Sequence, residues 1–244
     1  MDEHPILFNG EMVRAILTGT KTQTRRPIMP PGDQNRGSVY LPYDDRGDVP
    51  DKYAVFGAIA TNESESNFGV EFKGPLGAPG DTLWVRETFR ATGAWCGPTS
   101  GNRILYRADS AEREFVRPGG PTYHVARLTD PWRPSTHMPR WASRITLAVT
   151  SVRVERVQDI SPDDCEEEGI QGKTIPSPVR GQPYGEYTNG DGLIYPEPRL
   201  AYEVLWDDIY ADRNLGWDDN PWVWAVTFER VPERLKTATR ETQG

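Results

Sequence analysis

The stretch Ile16-Leu17-Thr18-Gly19-Thr20-Lys21-Thr22-Gln23-Thr24-Arg25-Arg26-Pro27 decides how this chain is read. Met12, Val13, Ile16 and Leu17 recur at helical spacing, and Gly19 stands where a glycine closes a helix. The helix therefore stops before Lys21, and Lys21 and Thr24 fall in a turn or at the start of a strand. A helix C-terminus is electronegative and holds a lysine charged. Lys21 can act as a base only if burial, or the neighbouring Arg25 and Arg26, lowers its pKa from about 10.4. The plainer account of such a turn is a solvated cationic partner of the helix dipole.

Outward from that stretch, strand signals dominate. Residues 82 to 89, 144 to 157 and 222 to 231 mix β-branched and aromatic side chains in alternation, as in Ile145, Leu147, Val149 and in Trp222, Trp224, Val226, Phe228. Shorter strands are predicted at 101 to 108 and 122 to 126, joined through Pro118-Gly119-Gly120-Pro121. Helices are few: Met12 to Leu17, Pro162 to Glu168, and Arg199 to Tyr210 with Ala201, Val204, Leu205 and Ile209 inward. The fold class is mainly β with packed helices, α+β.

The short acidic helix can be read residue by residue. Ser161 suits the N-cap, Pro162 the first helical position, Asp163 and Asp164 the positive end, and Gly169 the terminus. Around the helix axis Glu168 lies about 60° from Cys165, against about 100° for Glu166 and 160° for Glu167. Glu168 is the acid that faces inward. A carboxylate there needs a cation, and Lys21 or Arg26 would serve. A structural salt bridge accounts for the same pattern. In a regular strand Trp84 and Arg86 share one face and Glu87 takes the other, so these residues either line a binding mouth or form a core tryptophan beside a surface ion pair.

The order apolar helix, Gly19-Thr20-Lys21-Thr22-Gln23-Thr24-Arg25-Arg26, then Gly80-Asp81-Thr82-Leu83-Trp84-Val85-Arg86-Glu87, then Ile160-Ser161 to Glu168-Gly169-Ile170, then Trp222 to Val231, resembles the ASCH domain family. The resemblance covers about half of the chain. It implies a PUA-like β-barrel, in an enlarged pattern similar to that of proteins encoded by phages and prophages. The insertions would lie near 27–79, 91–140 and 171–198. Small bacterial members hydrolyse N4-acetylcytidine, and their motif falls here on Lys21, Thr24 and Glu168. The chemistry implied is amide hydrolysis in which Thr24 attacks the acyl carbonyl, Lys21 takes its proton and Glu168 helps to protonate the departing amine. Arg26 or a backbone amide would steady the oxyanion, and Trp84, Arg86 and Glu87 would help to hold the substrate. The expected function is a metal-independent, cofactor-free amidohydrolase acting on an acylated cytosine nucleoside or base. The alternative is a non-catalytic module that binds RNA or a modified nucleotide, with a ribonuclease as a third reading.

Composition bounds these readings. At 244 residues a single elaborated domain over 1–231 is expected, since no linker divides the chain, followed by a frayed polar tail at 232–244. The apolar runs fall short of a membrane span and the start, Met1-Asp2-Glu3-His4, is not that of a signal peptide, so a cytoplasmic setting is expected. Cys96 and Cys165 are too few for a disulfide scaffold, and His4, His124 and His137 fit no zinc spacing. A net charge of −8 argues against coating long nucleic acids, while the basic groups at Arg14, Lys21, Arg25 and Arg26 and from Arg133 to Arg156 suit a small anion or one nucleotide. The long polar segments at 29–79 and 172–198 exceed ordinary connections. They are expected as lids, with Tyr184, Tyr187 and Tyr195 as stacking surfaces, or as disordered insertions.

Overall fold

The structure, a computed structural model, describes residues 1–28, 39–40, 53–56, 70–74, 76–92, 102–115, 131–175 and 184–232. In chain order its strands are β1 (Glu3–Leu7), β2 (Gln23–Pro27), β3 (Val39–Tyr40), β4 (Tyr53–Phe56), β5 (Val70–Lys73), β6 (Thr82–Arg86), β7 (Phe89–Thr92), β8 (Asn102–Tyr106), β9 (Glu112–Phe115), β10 (Thr146–Arg156), β11 (Gln171–Ile175), β12 (Tyr184–Thr188) and β13 (Trp222–Arg230). The helices are α1 (Gly10–Thr18), α2 (Pro162–Glu167) and α3 (Pro198–Tyr210). The class is mixed, mostly strand with few helices. None of the described helices is long and apolar enough to cross a membrane.

Two compact units interleave along the sequence: residues 1–19, 81–148 and 230–244 form one, and 20–80 with 149–229 form the other. Each is assembled from separated segments, so no single cut in the chain isolates either. Strand order in the main sheet is β1-β6-β10-β13-β2, an open order, and the described strands form no closed barrel. β10 belongs to the first unit as far as Ala148 and to the second from Val149.

In the first unit β6 pairs in parallel with β1, Glu3 opposite Thr82, and antiparallel with the start of β10, Thr146 opposite Trp84. Leu83 and Val85 point into the core while Trp84 and Arg86 stay half-exposed, the alternation expected of a one-sided strand. The strand read over 82–89 is in fact two. β6 ends at Arg86, Glu87 turns its carboxylate to Arg144, and Phe89 opens β7 in a separate sheet of order β7-β8-β9. β8 finds its hairpin partner in β9, across a turn at Arg107–Ala111 where Ser110 has φ 59°. The segment read as its partner, 122–126, and the turn at 118–121 lie outside the described residues, as does the tail beyond Pro232.

In the first unit α1 is capped by the Asn9 side chain, which accepts from the Met12 amide, and closed by Gly19 at φ 83°, as its sequence demands. In the second unit the core gathers Val157, Cys165, Tyr202, Trp206, Tyr210, Trp217 and Val223. α3 buries Ala201, Tyr202, Trp206 and Tyr210, leaving Val204, Leu205 and Ile209 only partly covered. That inner face is rotated from the aliphatic one read in the sequence. Aromatic rings remove more apolar area from water than Val or Ile, and Trp206 satisfies its indole N–H on the Leu215 carbonyl at 2.8 Å.

Candidate active site around Lys21

Lys21, Gln23 and Arg25 are spaced by two residues, so they address one face of β2 and of the segment leading into it. Thr24 and Arg26 address the other. The register with β13 says the same: Gln23 and Arg25 stand opposite Thr227 and Ala225, Thr24 and Arg26 opposite Val226 and Trp224. Backbone bonds fix the approach. The Thr22 amide donates to the Glu167 carbonyl at 2.8 Å, and the Phe228 amide donates to the Thr22 carbonyl at 2.8 Å. Lys21 is thereby carried to the end of α2.

There the helix stops as its sequence dictates. Ser161 accepts from the Asp164 amide, Pro162 opens the first turn, and Gly169 takes φ 104°. Glu168 is the C-cap rather than the last helical residue, and only 4% of it is exposed. Lys21 Nζ donates to the Glu168 carboxylate at 2.6 Å and to the Glu168 carbonyl at 2.6 Å. One ammonium thus answers both a buried carboxylate and a helix-terminal carbonyl with no partner inside the helix. Arg25, also buried, lies against three carboxylates: Glu155 at 2.6 Å, Asp164 at 3.2 Å and Glu168 at 3.4 Å. The Tyr202 hydroxyl stands 3.5 Å from the same Glu168 oxygen that faces Arg25. Gln23 donates to Asp164 at 2.9 Å and Glu167 at 3.0 Å.

The electrostatics separate the two cations. Burial lowers the Lys21 pKa, and although the charge and hydrogen bond of Glu168 oppose it, the amine remains below its ordinary range, with Arg26 and Arg25 adding to the fall. Burial acts on Arg25 too, but Glu168, Tyr202 and Glu155 more than reverse it and hold the guanidinium charged. Desolvation raises Tyr202, with Glu168 adding to it, and pushes the Cys165 thiol up to about 12, so both stay neutral. Arg25 therefore balances Glu168 with a charge that cannot leave, while Lys21 balances it with one that can. A buried amine of lowered pKa against an anchored carboxylate has the chemistry that proton transfer requires.

Of the residues marked in the sequence, Lys21 and Glu168 are brought into contact, and Arg25 with them. Thr24 is fully buried on the opposite face of β2, where its hydroxyl accepts from Arg26 Nη1 at 2.9 Å. Trp84, Arg86 and Glu87 belong to the first unit. There Arg86 donates to the Thr136 carbonyl, Trp84 carries Arg86 and Arg140 near its ring at 5.4 and 5.9 Å, and Glu87 is clamped by Arg144 through two bonds of 2.8 Å. Tyr187 and Tyr195 exchange backbone bonds and pack into the core that holds Cys165 and Tyr202 rather than offering open faces. The side chain of Tyr184 and most of 29–79 lie outside the described residues.

Sequence reading missed Glu155, Asp164 and Tyr202 as members of this cluster. The available signal was the polar alternation Lys21, Gln23, Arg25 at the mouth of a strand, which requires acceptors on the facing elements. One set of potential metal donors occurs among the described residues: Asp2, His4 and Asp81, with donor atoms within 4.8 Å of one another. They flank the starts of β1 and β6, where the Asp2 amide donates to Asp81 at 2.8 Å and His4 Nε2 stands 4.0 Å from it. This is an ordinary tie between two strand ends. Comparison with known proteins finds no matching family model, no matching curated protein and no matching solved structure.

Proposed function

We propose that this protein is an amidohydrolase that removes the acyl group from the exocyclic N4 amine of an acylated cytosine nucleoside or base, built on a PUA-like fold of the ASCH type. The observation that carries the reading is the Lys21–Glu168 contact, a buried amine of lowered pKa held 2.6 Å from a carboxylate that Arg25 also neutralises. These are two of the three residues that the ASCH resemblance marks as catalytic. The third, Thr24, stands on the far face of β2, so the nucleophile is assigned to water.

In the proposed reaction neutral Lys21 takes a proton from a water molecule as its oxygen attacks the acyl carbon. The tetrahedral intermediate collapses with cleavage of the carbon–nitrogen bond. The proton held by the Lys21–Glu168 pair passes to the departing N4 amine, giving the free cytosine and a carboxylic acid. Arg25 stays charged beside Glu168 throughout, so the proton cycles on Lys21 while the carboxylate keeps a second cationic partner. Lys21 Nζ is fully covered in the unbound protein, and substrate binding must uncover it.

The test is direct. The full chain is incubated with N4-acetylcytidine and N4-acetyldeoxycytidine, and cytidine release is followed by chromatography. Release by the wild type, and a loss of about a thousandfold in Lys21→Met, supports the reading. If the wild type binds these nucleosides and releases no acyl group, the protein is a binding module.

A further inference from the structure

The first unit contains a second feature that the amidohydrolase reading does not use. Trp132 is brought beside β7 because the Phe89 and Arg133 backbones exchange hydrogen bonds, Phe89 N to Arg133 O at 3.2 Å and Arg133 N to Phe89 O at 2.7 Å. The Arg90 guanidinium lies 4.7 Å from the centre of its ring, and that of Arg107 lies 5.9 Å from the same centre. Arg107 is anchored through its backbone, whose amide donates to the Thr88 carbonyl at 3.0 Å. One indole is therefore flanked by two guanidinium groups, like charges that a shared anion would offset.

What these arginines do with their donors sets them apart from their neighbours. Around Trp84, Arg140 donates to both oxygens of Glu3 at 2.9 and 2.8 Å, and Arg86 donates to the Thr136 carbonyl although its Nε is itself sealed without an acceptor. Around Trp132, neither Arg90 nor Arg107 makes a side-chain hydrogen bond or ion pair with any described residue, and Arg90 Nε is sealed from solvent without an acceptor. A buried cationic N–H without an acceptor is destabilising, and an acceptor that reaches it relieves the cost. A guanidinium set against an aromatic ring keeps its in-plane N–H groups for other acceptors. Among the described residues, the carboxylate in register with Arg90 on that sheet is Glu112, two strands away through Leu105, or about 10 Å between strand axes.

We propose that Arg90 and Arg107, spaced by Trp132, form a binding site for a phosphate group. A tetrahedral dianion or a phosphodiester offers acceptors on several sides to two forked donors, the charge and geometry that arginine pairs bind well. The phosphate could come from a mononucleotide or from the backbone of a single-stranded nucleic acid, and the same chemistry serves both. The site is independent of Lys21.

Binding is measured calorimetrically on the full chain with adenosine 5′-monophosphate, adenosine and octadeoxyadenylate, adenine being chosen to keep the cytosine chemistry proposed at Lys21 out of the measurement. Adenosine 5′-monophosphate should bind and adenosine should bind at least tenfold more weakly. Arg107→Ala, an exposed residue whose loss leaves the core intact, should weaken the nucleotide at least tenfold, as should Arg90→Ala. Arg140→Ala, whose guanidinium is already committed to Glu3, should change it less than twofold. Octadeoxyadenylate binding tenfold tighter than the mononucleotide, with a steeper salt dependence, assigns the phosphate to a strand; equal affinity assigns it to a mononucleotide. No phosphate-dependent binding by the wild type, or equal loss in Arg140→Ala and Arg107→Ala, overturns the proposal.

Discussion

Each unit buries a cluster of charges, and the two clusters are built on opposite plans. In the first unit Arg144 spends one edge on Glu87 with two bonds of 2.8 Å, another on Asp109 at 2.7 and 2.9 Å, and stacks 4.1 Å from the Tyr106 ring. Burial raises Glu87 although Arg144 opposes it. Asp109, on which burial acts the same way, is lowered by Arg144 and by the Ala111 amide. The central cation cannot give up its proton at any working pH. In the second unit an arginine again anchors carboxylates, but a lysine shares one of them and is pushed toward neutrality. Burial of charge is common to both. What distinguishes a candidate for chemistry is a buried group that can change protonation while its partner stays compensated.

The largest expected difference between the clusters is in folding stability. Arg144→Met strands Glu87 in the core with Asp109 beside it, and should cost about 3–5 kcal/mol. Lys21→Met removes a desolvated amine and leaves the Glu168 carbonyl without its donor, while the Glu168 carboxylate keeps Arg25, and should cost only about 1–3 kcal/mol. Urea unfolding of the two variants measures this. Equal losses would mean that Lys21 is as structural as Arg144, and the comparison would collapse.

A smaller effect with a definite sign follows from the lowered pKa. Lys21 titrates below 10.5 in the folded protein and near that value when unfolded. Between the two values the unfolded chain binds more protons, so stability rises with pH. The penalty is complete below the folded pKa and disappears as pH approaches 10.5. The stability of the wild type relative to Lys21→Met should therefore improve through the alkaline limb, by about 1.4 kcal/mol per pH unit inside the window. Relative to Arg144→Met no rise from the arginine is expected there. A flat difference for Lys21→Met would show that Glu168 keeps the amine charged.

The contrast between the units also marks how much was legible beforehand. The boundaries of α1 and α2 follow from Asn9, Gly19, Ser161 and Pro162, because caps are local chemistry. Angular spacing alone selected Glu168 over Glu166 and Glu167, and the structure buries Glu168 and exposes the other two. The pairing of β8 with β9 and the aromatic face of α3 were not legible. The first depends on a turn at Ser110 that carries no glycine or proline, and the second on which of two faces finds ring-shaped space. Gathering Glu155, Asp164 and, through Glu168, Tyr202 about Arg25 depends on tertiary contacts between residues far apart in sequence, Arg25 and Asp164 by 139 positions (164 − 25), for which the strand alternation gives only the donor half.

The smallest expected effect decides the nucleophile. Thr24 and Lys21 both precede Pro27 in one short motif, yet the pleat sends Thr24 to the side of Val226 and Trp224 and away from Ala225, Thr227 and the α2 end. A nucleophile must come within hydrogen-bond reach of its base, and a strand does not turn over between adjacent residues without losing its ladder. Thr24→Val keeps the shape and removes the hydroxyl that accepts from Arg26 at 2.9 Å, so a loss of about 1 kcal/mol in stability is expected. Turnover of N4-acetylcytidine should fall by less than about threefold, against the roughly thousandfold loss for Lys21→Met. If Thr24→Val instead loses turnover as Lys21→Met does while unfolding at nearly the wild-type urea concentration, water is not the nucleophile. The segment 21–24 would then have to rearrange on substrate binding to bring that hydroxyl to the Lys21–Glu168 pair.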